Sequence, residues 1–112
     1  QMAAMVASVG AVSGNEVSVF LSMNALAPFL RGAPGAAPPE GEFGAIAATK
    51  NVPSFKTLFE QAVDPGGARI HPCSMAMDVP ALDRAKLEPW LGEPLGLTKF
   101  LDDARDAQVW SF

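Results

Sequence analysis

The sequence predicts an α/β domain in which helices alternate with short strands of a mainly parallel sheet covered on both faces. Three observations carry this expectation. Stretches with apolar residues three and four apart alternate with short continuous apolar runs, Gly, Pro and Asn mark the boundaries, and the intervening segments are long enough for helical crossovers. With 112 residues, 49% of them hydrophobic and 18% charged, the chain has the size and composition of one folded domain spanning residues 1–112.

Gln1 to Val12 is rich in Ala and Met and places Met2, Met5, Val6 and Val9 at helical spacing, ahead of the stop signal Ser13-Gly14-Asn15. It reads as a helix packed on a neighbour by that face. Glu16 to Leu21, EVSVFL, is apolar on both faces and reads as a buried strand. Ser22 and Asn24 then stand where a helix starts, Ala25, Leu26, Phe29 and Leu30 give it an apolar face, and Gly32 ends it, with Pro28 expected in its first turn.

Residues 33–44, APGAAPPEGEFG, carry no apolar period and are expected to form an exposed Gly/Pro-rich loop. Pro53 is expected to open a helix capped by Asn51 or a neighbour, with Phe55, Leu58, Phe59 and Val63 on one face as far as Pro65-Gly66-Gly67. Ala68 to Cys73, ARIHPC, reads as a short strand left through the small-residue segment Ser74 to Asp78. Asp83 to Trp90 interleaves charges with Leu87. Leu95 to Ala104 carries Leu97, Phe100 and Leu101 at helical spacing, and Gln108 to Phe112 reads as a terminal strand. Trp90, Trp110 and Phe112 are expected in the core or at a subunit contact.

Only three strands are visible, and the first helix has no preceding strand to pack beside. A strand upstream of Gln1, or a compensating contact from another subunit, is therefore expected. The apolar opening has no basic leader and runs on into a strand, so it reads as helix and not as a signal sequence.

A net charge of −4 without any Lys/Arg cluster removes the electrostatic footprint of nucleic-acid binding. No run of 18 apolar residues occurs, so a membrane-spanning helix is not expected. A lone cysteine has no partner for an internal disulfide, which makes a reducing cytoplasm the natural compartment. One Cys and one His without carboxylates at ligand spacing point to no metal, and the absence of GxGxxG and GxxxxGK[ST] points to no nucleotide; no cofactor is expected.

Open parallel sheets bind ligands beyond the carboxyl ends of their strands, and Cys73 falls at such an end. A thiol there, with the backbone N–H groups of Ser74 through Met77 beside it, would ionise more readily and react faster. The plainer role is a buried, inert cysteine that packs like a small hydrophobe, and position alone leaves both open. His71, two residues earlier on the strand, shares its face. A Cys–His hydrolase would also need an orienting Asn or Asp and an oxyanion hole, so His71 is more simply a half-exposed polar residue. Ser22, Met23 and Asn24 follow the first strand and share the same sheet edge. They are candidates to line the pocket of Cys73, with helix capping as their plainer role. Met75 and Met77 would shield a sulfur intermediate or simply fill core gaps.

The segment RIHPCSMAMDV, Arg69 to Val79, resembles that of the DsrE/DsrF-like family, in which a strand ends in a cysteine followed by small and Met residues and an Asp. EVSVFLSMNAL at Glu16 to Leu26 is similar to the family's second strand and following helix, and Leu95 to Phe112 to its last helix and strand. The resemblance implies a flavodoxin-like three-layer αβα fold with a mainly parallel sheet, its first strand lying before residue 1. It implies a sulfur-carrier or sulfurtransferase-like protein holding a persulfide on Cys73, with sulfur donor and acceptor proteins as partners and a trimeric or hexameric homo-oligomer as the working state. Such exchange needs one cysteine per subunit. Two alternatives stand beside it: a non-enzymatic oligomeric binding module, and a redox-sensing thiol protein that forms a sulfenic acid at Cys73.

Overall fold

The computed structural model describes all 112 residues, Gln1 to Phe112. Helix α1 (Met2–Val12) leads into strand β1 (Ser18–Leu21) and a 3₁₀ helix (Met23–Phe29). Helices α2 (Gly41–Ala48) and α3 (Phe55–Val63) follow, then strand β2 (Arg69–Pro72), the short α4 (Ser74–Asp78), a 3₁₀ turn (Arg84–Lys86) and α5 (Leu97–Asp103). β1 and β2 form a two-stranded parallel sheet, Ser18 opposite Arg69 through Leu21 opposite Pro72. The protein is thus a small α/β structure with helices packed around a short parallel sheet. None of the helices is long and apolar enough to cross a membrane.

Side-chain alternation sorts the helices between the two faces of the sheet. Val19, Leu21 and Ile70 belong to the main core with the buried residues of α1 and α3. Phe20 points the opposite way and stacks on Phe100 of α5 with ring centroids 4.9 Å apart. In the main core Phe29 is the hub, meeting Phe55 at 5.7 Å, Phe59 at 5.4 Å and Trp90 at 5.9 Å. Trp90 is therefore a core-edge residue, one of the two roles expected of it.

The face that α1 buries differs from the expected one. Ala4, Ala7 and Ala11 are buried where α1 meets α3, while Met2, Met5 and Val9 are exposed. Small residues let two helix backbones approach closely, and the fit is tight: a Cβ on Gly66, just after α3, would stand 2.4 Å from the Ala62 carbonyl oxygen and 2.8 Å from Ala11 Cβ.

Other elements depart from expectation for local reasons. Met23–Phe29 is 3₁₀ and not α-helical, because Pro28 lies inside it, offers no N–H and crowds the preceding turn. The expected loop 33–44 ends early, since the Ala-rich stretch after Glu40 forms α2, which buries no residue. Neither Asn51 nor Pro53 begins α3; Ser54 caps it, its Oγ accepting from the Thr57 N–H at 3.1 Å.

Gln108 to Phe112 is not a strand. It makes no backbone hydrogen bond, and Val109, Trp110 and Phe112 are exposed, so the last two are not core residues. A strand exists only where a neighbour takes its backbone groups, and these residues meet none; the outer edge of β2 is taken by another segment. There the Gly92 N–H donates to Ile70 O at 2.8 Å and the Leu95 N–H to Pro72 O at 3.0 Å. The sheet consequently has two strands, not the three expected.

Lys56 ties the segments over α3 together. Its Nζ donates to Leu30 O at 3.1 Å, Ala33 O at 3.0 Å and Glu88 Oε1 at 2.6 Å, so a largely covered ammonium group has all three protons engaged.

Candidate functional site

The site is built by the ends of the two strands. The Cys73 N–H donates to Leu21 O at 2.8 Å, extending the parallel ladder by one step and setting Ser22 beside Cys73. On the other side Cys73 forms a parallel bridge with Leu95, and the Ser74 N–H donates to Leu95 O at 2.9 Å. The Cys73 backbone is therefore held from both sides. φ of −70° and ψ of 124° make it the last extended residue before α4.

Cys73 is the one free thiol, and its side chain is covered, with 2% of the residue exposed. Met23, next after Ser22, and Met75, two residues beyond Cys73 in α4, are 70% and 57% exposed. Burial acts to push the thiol pKa up, but it is outweighed. The Ser22 hydroxyl and the N–H groups of Ala76 and Met75 favour the thiolate, Asp78 opposes it weakly, and the net result is a pKa below the ordinary value.

Ser22 stands at the N-cap position of the 3₁₀ helix, yet its side chain makes no cap hydrogen bond, which leaves the hydroxyl available to the sulfur. The chain then turns through Met23 at φ +52°, a left-handed conformation that a non-glycine residue rarely adopts. Asn24 is exposed and also makes no cap hydrogen bond, so the plainer capping role expected of these residues is not the one they fill.

His71 faces a different partner. Its Nδ1 lies 2.9 Å from the Glu93 carbonyl oxygen, and a Cβ on Gly92 would stand 3.1 Å from the same nitrogen. The ring is thus packed under the Gly92–Leu95 segment and serves as a structural polar group. Ser74 contributes its N–H to Leu95, and Met77 is buried in the core, which is the gap-filling role expected of it. No group of three or more His, Cys, Asp and Glu side chains is placed to hold a metal.

The sequence reading missed the Gly92–Leu95 segment, which walls the site opposite Ser22. Gly92 and Gly96, flanking Glu93-Pro94-Leu95, were the available signal, since glycine marks close backbone approach. Two shallow depressions lie away from Cys73, along α5 at Thr98 to Arg105 and between α1 and the Val52–Leu58 segment.

No protein-family model matches the chain, and no curated protein matches it.

Proposed function

We propose that Cys73 is an activated thiol that carries sulfane sulfur as a persulfide. The observation that carries this reading is the placement of Cys73 at the paired strand ends, beside Ser22 and ahead of Met75 and Ala76, whose hydroxyl and N–H groups favour an anion on a group that burial alone would keep neutral. The similarity of Arg69 to Val79 to the cysteine segment of DsrE/DsrF-like proteins supports the same chemistry. The parallel β1–β2 pair, with α1 and α3 on one face and α5 on the other, supports the flavodoxin-like three-layer arrangement for the finer fold.

In the proposed step the Cys73 thiolate attacks the terminal sulfur of a donor persulfide. The donor S–S bond breaks, the donor leaves as a thiolate, and the terminal sulfur with its proton now forms Cys73–S–SH. An acceptor thiolate repeats the attack on that sulfur and regenerates the Cys73 thiolate. Sulfur and electrons balance without an external oxidant, and no second cysteine in the chain is needed. With 2% of Cys73 exposed, the step requires the cover over the thiol to open for a donor.

A second reading is a binding module in which Cys73 is inert packing. The 2% exposure of Cys73 and the exposed apolar side chains of α1 favour it. Mass spectrometry after incubation with a low-molecular-weight persulfide separates the two. The proposal expects one added sulfur on the intact protein, located to Cys73, removed by a thiol and absent in Cys73→Ser. An unmodified protein would leave the binding module as the better account.

A further inference from the structure

We draw no further inference here: the strongest candidate, the exposed apolar face of α1 formed by Met2, Met5, Val9 and Val12 with the groove between it and the Val52–Leu58 segment, is an unpartnered surface, and nothing in the structure shows what covers it.

Discussion

The α1–α3 side of the molecule and its periphery both carry large apolar residues and use them very differently. On the α1–α3 side, Ala4, Ala7 and Ala11 bring two helices close, and Phe29 locks Phe55, Phe59 and Trp90 into one aromatic cluster. At the periphery α2 leaves Phe43 83% exposed, and the tail leaves Trp110 62% exposed. What differs is partnership. An apolar side chain contributes to stability only where another element presents a complementary surface. Cys73 sits at the seam between these regimes, its backbone bonded on both sides while Met23 and Met75 face out.

Perturbing the Phe29 hub gives the largest expected effect. Phe29→Ala removes a side chain that is 3% exposed and touches three aromatic rings, and is expected to cost about 3–5 kcal/mol in urea unfolding, the range for large cavities. A cost below about 1 kcal/mol would show that the cluster is not the organising core.

Lys56→Met tests the clasp over α3 and has the next largest effect. It leaves Glu88 and the carbonyls of Leu30 and Ala33 without their donor. Because both charged side chains keep some exposure, 13% and 18%, the expected loss is about 1–3 kcal/mol, that of unsatisfied polar groups rather than of an isolated buried charge. Calorimetry at neutral pH reads it as a lowered Tm.

Phe43→Ser on α2 is expected to change stability by no more than about 0.5 kcal/mol, because the residue it removes is already in water. A larger loss would mean that α2 is packed in solution and would erase the contrast between the two regions.

The same contrast explains how much was legible in the sequence. α3 and β2 follow from local pattern: Phe55 and Phe59 repeat at helical spacing before Pro65-Gly66, and Arg69 to Pro72 is a short run bounded by glycines and by a small-residue helix start. The position of Cys73 at a strand end was legible for the same reason. The buried face of α1 was not. Met and Val have larger transfer energies than Ala, so pattern reasoning points them inward, whereas the close helix contact is set by the size of what α3 and Gly66 present. The terminal segment shows the second limit: QVWSF has strand composition, but a strand forms only where its backbone groups find a neighbour, and these residues find none. Ser22 was foreseen as a neighbour of Cys73. Its release from capping duty depends on the turn at Met23, which no residue pattern announces.

The central claim is that the folded protein holds Cys73 as an activated thiol, and the rate of Cys73 alkylation against pH tests it most directly. The lowered pKa means that the thiolate forms at lower pH in the folded protein than in the unfolded chain, so the folded profile should have its midpoint on the acid side of the denatured one. Ser22→Ala should move that midpoint back toward the denatured value, because it removes a donor to the thiolate while burial remains. A folded midpoint equal to or above the denatured one, or a thiol that reacts only once the protein unfolds, would contradict the account and make Cys73 a packing residue.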